Sequence, residues 1–209
     1  MEPINYERHK VYDGVLRLIH AWNGLAVLFL LLTALLSDWF EPGAGQKGLW
    51  QLHIILGYAL ILGLAARLTW GMVGPRHARF SDLWHPARWR AAIRNRSLKT
   101  APRFGHHPLA SAVYLAVYGL LLAMAATGLG LAAIEHGAGP LAPWLTDSLW
   151  LKNLFKEPHE FIYGLLGAFI LVHITALIRH EIADRTPLAQ GMVSGYQYRI
   201  VPQGEHHEN

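Results

Sequence analysis

The stretch EPHEFIYGLLGAFILVHITALIRH, Glu157 to His180, decides how the rest of the chain is read. Between His159 and Arg179 its only ionisable side chains are Glu160, Tyr163 and His173. A run of about 20 mostly apolar residues is what a helix needs to cross the hydrocarbon core of a bilayer. His159 and His173 stand four helical turns apart, so both project from nearly the same face. Their backbones are separated by roughly 21 Å along the axis. Two nitrogen ligands on one face, one in each half of a bilayer, suit a protein that stacks two cofactors.

Composition agrees with the membrane reading. The 209 residues are 53% hydrophobic and 15% charged, where soluble domains average about 25% charged. Cysteine is absent, which excludes disulfides, thiolate-bound iron–sulfur clusters and a CxxCH site for covalent haem. Thirteen histidines remain, so metal chemistry must rest on imidazole.

Working outward, three more apolar runs precede the first. The expected spans are about residues 18–37, 51–73, 109–133 and 158–179, in one membrane domain covering 1–209. The charged N-terminus followed by an apolar run imitates a secretory signal. No small-x-small cleavage site follows, so the first run is expected to be an uncleaved anchor. Segment 74–107 is an Arg-rich loop. Segment 134–157 is an amphipathic loop whose apolar residues recur at three- and four-residue steps, which suggests a short helix lying in the interface.

Lys and Arg concentrate in the N-terminus, the 74–107 loop and the tail, while the other two loops hold only Lys47, Lys152 and Lys156. The positive-inside rule puts both termini in the cytoplasm. The formal charge of +4 thus belongs to topology, and no nucleic-acid surface is expected.

With the N-terminus inside, the histidines fall into two pairs by depth. His53 is level with His159 in the outer half, and His20 with His173 in the inner half. Intramembrane polar residues are costly and mark function by default. Paired imidazoles beside an apolar slot suit haem b, with two axial nitrogens and a six-coordinate iron made for electron transfer. Arg17, Arg67 and Arg179 are candidates to meet haem propionates or to snorkel to headgroups. Gly24, Gly57, Gly63, Gly119, Gly164 and Gly167 either make room for macrocycles or let helices pack. His136 and five other histidines in polar stretches are expected to be solvated.

The chain resembles the bacterial cytochrome b561 and nickel–iron hydrogenase b-type cytochrome family over nearly its whole length. The likeness is carried by Arg17-Leu18-Ile19-His20, by His53-Ile54-Ile55-Leu56-Gly57, by the run Arg67 to Ser81, by Gly105-His106-His107-Pro108-Leu109, and by His159 with His173. It implies an all-α integral membrane four-helix bundle holding two haem b groups, with His20/His173 and His53/His159 as axial ligands. It further implies electron exchange with ubiquinone or menaquinone in the bacterial inner membrane, and a redox partner such as a periplasmic cytochrome or an oxidoreductase subunit. Trp150 and Phe155, or His106 and His107, are the candidate quinone contacts. A stand-alone quinone-linked superoxide oxidase, drawing its anion with Lys47, Lys152 and Lys156, is the second reading, and a metal-ion transporter the third.

Topology generates the first test. Reporter fusions at Gly139 and Asn209 should report opposite sides of the membrane, and a same-side result contradicts four spans.

Overall fold

The computed structural model describes residues 5–95, 108–145, 148–182 and 188–201. Four helices are long and apolar enough to cross a membrane. They are α1 (Gly14–Ser37), α2 (Ala44–Val73), α4 (Pro108–His136) and α5 (Leu149–Ile182); the shorter α3 (Pro86–Asn95) and α6 (Leu188–Ser194) complete the helices. A two-stranded antiparallel ribbon joins β1 (Asn5–Lys10) to β2 (Tyr196–Val201).

The membrane helices bury little of themselves. Between 11% and 28% of the most apolar window of each is buried, and large apolar side chains such as Leu18, Ile55, Leu62, Leu171 and Val172 stand exposed. In water that pattern would be an aggregation hazard. In hydrocarbon it is the lipid-facing surface, and the helix satisfies every backbone group internally.

The chain divides into two compact units. One, Ile19–Thr69 with Val113–Ile170, is the four-helix bundle. Its core gathers Ala26 from α1, Leu60 and Leu64 from α2, Leu121 from α4, and Ile162 and Leu166 from α5. Apolar burial does not drive helix association in lipid, so close approach and interhelical hydrogen bonds must. At Gly63 the space a Cβ would need is taken by the side chains of Asn23 and Trp22, and Trp22 Nε1 donates to the Ala59 carbonyl at 2.8 Å. At Gly130 the Phe155 ring takes that space. These contacts fasten α1 to α2 and α4 to α5.

The other unit is Met1–Leu18, Trp70–Ala112 and Leu171–Asn209. Asp13 caps α1: its Oδ1 accepts from the Leu16 N–H at 3.0 Å and from Trp70 Nε1 at 3.1 Å. Such a cap satisfies one of the donors a helix start leaves open. Gly195, at φ +88, turns α6 into β2, and its carbonyl accepts from the N–H groups of Val11 and Tyr12. Arg17 Nη1 donates to the Val193 carbonyl. After α2 the chain folds tightly through two single-turn 3₁₀ helices, Arg76–Ala78 and Phe80–Asp82. Phe80 fills the space beside Gly71, and His77 pairs with Asp82 at 3.2 Å.

Two readings change against the sequence. The amphipathic segment before His159 is not a separate interfacial helix: residues from Leu149 onward are the first turns of α5, which continues through Pro158. Proline at that place removes a donor from the Leu154 carbonyl, a loss transmembrane helices tolerate. The two polar termini form a ribbon where the sequence offered no long strand pattern.

Packing at Gly63 is testable. Gly63→Val should lower the thermal stability of the purified protein by about 1–3 kcal/mol through overpacking. Gly24→Ala, at a position where a Cβ meets nothing within 4 Å, should leave it unchanged. Equal effects in the two variants would contradict the packing account.

Candidate cofactor site

At the end of the bundle where α1 leads into α2 and α4 into α5, a cavity of about 390 Å³ opens between the four helices. Its volume lies within the range of roughly 300–1,000 Å³ expected of a ligand pocket. Every helix contributes residues at three- and four-residue steps, among them Val27, Leu30 and Ala34 from α1, and Leu121, Ala125 and Gly128 from α4. The wall is mostly aliphatic. His53 and His159 line it together. The pair expected in one half of the bilayer is therefore brought to one cavity.

Each imidazole is held by a threonine of the preceding membrane helix. Thr33 Oγ1 stands 2.9 Å from His53 Nδ1, and Thr127 Oγ1 stands 3.0 Å from His159 Nδ1. Each hydroxyl also has main-chain acceptors within reach. Thr33 gives its proton to the carbonyls of Phe29 and Leu30, at 2.9 and 3.0 Å. Thr127 gives its proton to Ala123 and Met124, at 2.8 and 3.1 Å. A hydroxyl has one proton and two lone pairs, so with that proton on a carbonyl each oxygen can accept from an imidazole Nδ1–H. An imidazole bonded in that way leaves Nε2 as the atom that could bind a metal.

Small residues and aromatics shape the rest. A Cβ on Gly128 would come within 3.2 Å of His159 Cε1, so glycine lets the ring lie against α4. Gly57 lines the cavity, and a Cβ there, or at Gly24, Gly119, Gly164 or Gly167, meets nothing within 4 Å. Only Gly63, of the glycines singled out in the sequence, is a close-packing position. Trp50 stands edge-on to His53 with ring centroids 5.5 Å apart, and His136 lies tilted against Trp50 at 6.3 Å. His136 is exposed, as expected of a solvated residue, yet it also lines the cavity. At the mouth Lys156 meets Glu160 at 3.5 Å, and nearby Lys152 meets Glu135 at 2.9 Å.

The remaining candidates fall elsewhere. His20 is on α1 and His173 on α5, both with exposed side chains. Arg67, 1% exposed, donates from Nε to the Tyr114 hydroxyl at 2.7 Å and lies over the rings of Tyr114 and Tyr118. Trp150 is 72% exposed and does not line the cavity; Phe155 packs on Gly130. His106 and His107 lie outside the described residues.

Sequence reasoning missed Thr33, Thr127, Gly128 and Trp50. One signal was available in the spacing. Thirteen positions separate His20 from Thr33, and thirteen separate Tyr114 from Thr127; fourteen separate His53 from Arg67, and fourteen separate His159 from His173. The two helical hairpins carry these polar residues at the same sequence spacing.

The donor set fits haem b. Two imidazoles line one mostly apolar cavity, each with Nδ1 at hydrogen-bond distance from a threonine hydroxyl, the usual support of a metal-ligating histidine. His53 and His159 would hold it, and haem when bound would supply the one-electron chemistry.

Comparison with known proteins gives the same answer. Residues 11–195 match the family model described as prokaryotic cytochrome b561. The chain is 27% identical to a probable Ni/Fe-hydrogenase B-type cytochrome subunit of Azotobacter vinelandii, over 90% of this chain and 87% of the relative. It is 27% identical to a probable Ni/Fe-hydrogenase B-type cytochrome subunit of Rhizobium leguminosarum, over 88% and 87%. With the probable Ni/Fe-hydrogenase 1 B-type cytochrome subunit of Escherichia coli K12 it shares 21% identity over 92% of each. No solved structure matches the chain. A four-helix membrane bundle, a paired-histidine cavity and a family match over most of its length lead to one conclusion: the chain belongs to the prokaryotic cytochrome b561 family, bacterial membrane proteins that carry haem b and transfer electrons.

Proposed function

We propose that the chain holds two haem b groups and passes electrons between quinone and a redox partner at the bacterial inner membrane, with both termini in the cytoplasm. The observation that carries this reading is the convergence of His53 and His159 on one apolar cavity, each with Nδ1 satisfied by a threonine. The second haem rests on His20 and His173, matched by depth in the sequence. Along α5 the backbones of His159 and His173 are roughly 21 Å apart.

Arginines supply the anion partners for the propionates. Arg17 Nε is buried with no hydrogen-bond partner among the described residues, which suits it to that role. Arg67 is the other candidate, with its Nε bonded to Tyr114 and its guanidinium over the rings of Tyr114 and Tyr118. The quinone is ubiquinone or menaquinone, and Trp150 with Phe155 on the first turns of α5, or His106 with His107, would contact it. The exposure of Trp150 places an aromatic face where a lipid-soluble ring can reach it. The relatives' names point to a nickel–iron hydrogenase as the kind of oxidoreductase that would be the redox partner.

The superoxide-oxidase reading loses electrostatic support. Two of its three lysines are paired with glutamates, Lys152 with Glu135 and Lys156 with Glu160, so they offer an anion less attraction than free lysines would. The transporter reading lacks a site among the described residues, where no three His, Cys, Asp or Glu side chains gather.

Ligation is tested by alanine variants analysed for haem content and by redox titration. His53→Ala and His159→Ala should each lose the same haem, lowering haem per chain by about half, while His20→Ala and His173→Ala lose the other. Loss of one and the same haem by His53→Ala and His173→Ala would overturn the pairing.

A further inference from the structure

We infer that Thr33 and Thr127 are positioning residues that fix the tautomer, ring plane and basicity of the two axial ligands of a single haem. The inference rests on the reading above that His53 and His159 ligate one iron.

The geometry supplies the argument. Both contacts have one form: a threonine Oγ1 stands 2.9–3.0 Å from an imidazole Nδ1 and within hydrogen-bond reach of the main-chain carbonyls three and four residues back, so that an Nδ1–H would donate to it. Chains of this kind polarise along their length. They also run between helices, α1 to α2 and α4 to α5, so each hairpin carries its own copy. The two copies converge on one cavity. A threonine that merely bonded its own helix would have no reason to stand within 3.0 Å of an imidazole in both hairpins.

Chemistry gives the sign of the effect. Donation from Nδ1–H raises the basicity of Nε2. A more basic axial nitrogen stabilises ferric over ferrous iron, so the two hydroxyls hold the potential of this haem down. Because a hydroxyl is an uncharged acceptor, this effect is smaller than a carboxylate in the same place would exert. The bonds also stop each ring from turning about its Cβ–Cγ axis, which fixes the angle between the two imidazole planes.

Thr33→Val and Thr127→Val keep side-chain shape and remove the acceptor; Thr33→Ser and Thr127→Ser keep the acceptor. Purified, haem-loaded protein would be titrated spectroelectrochemically, examined by low-temperature electron paramagnetic resonance, and challenged with apomyoglobin as a haem acceptor. Each Val variant should shift the potential of the same haem upward and change the low-spin signal of that haem alone. Haem retention against apomyoglobin should fall roughly tenfold. The Ser variants should stay near wild type. Should a Val variant fail to assemble, Thr→Ala against Thr→Ser, which differ only in the hydroxyl, makes the same comparison.

An unchanged or lowered potential with an unaltered signal in both Val variants overturns the inference, as does a shift of different haems by the two. His53→Ala separates this failure from failure of the ligation reading. If it loses the haem while the Val variants behave as wild type, only the positioning role falls. If it keeps the haem, ligation by His53 falls and the positioning role with it.

Discussion

An imidazole placed in hydrocarbon has two ring nitrogens to satisfy and no water to do it. Leaving a polar group unpaired in such a medium costs several kcal/mol, so a membrane protein that keeps histidines at this depth must give each nitrogen a partner. In this chain His53 and His159 each have Nδ1 at hydrogen-bond distance from a threonine hydroxyl, and both line one cavity. The rest of the bundle follows from that requirement. The threonine must lie on a neighbouring helix at the right height, Gly128 must leave room for the His159 ring, and the helices must part enough to leave a cavity while Gly63 and Gly130 hold them together.

The two hairpins meet the same requirement in the same way and then diverge. At the cavity end both present a threonine on the outgoing helix and a histidine on the returning one. Thirteen positions before each threonine stand His20 in one hairpin and Tyr114 in the other, and fourteen after each histidine stand Arg67 and His173. Tyr114 and Arg67 bond directly to each other at 2.7 Å.

Much of this was legible in the sequence, for physical reasons. Four apolar runs and a lopsided distribution of Lys and Arg gave the helices, because hydrocarbon imposes length and polarity more strictly than water does. The histidines stood out because ionisable residues are rare at that depth. Thr33 and Thr127 did not, because threonine satisfies its own hydroxyl on the helix backbone and so is unremarkable in an apolar run. Pro158 was read as the start of the last span, and α5 instead begins at Leu149, since tertiary packing such as Phe155 on Gly130 outweighs one missing donor. The ribbon between β1 and β2 depends on pairing two ends of the chain, which no local pattern reveals.

The account as a whole stands on two bis-histidine haems in one chain of four spans. The most direct measurement is the ratio of haem b to protein in the purified, monodisperse membrane protein, by pyridine haemochromogen against quantitative amino-acid analysis. Two haems per chain, both low-spin, is the result this account predicts. A single haem per chain in protein purified with added haem and shown to be fully folded would contradict it.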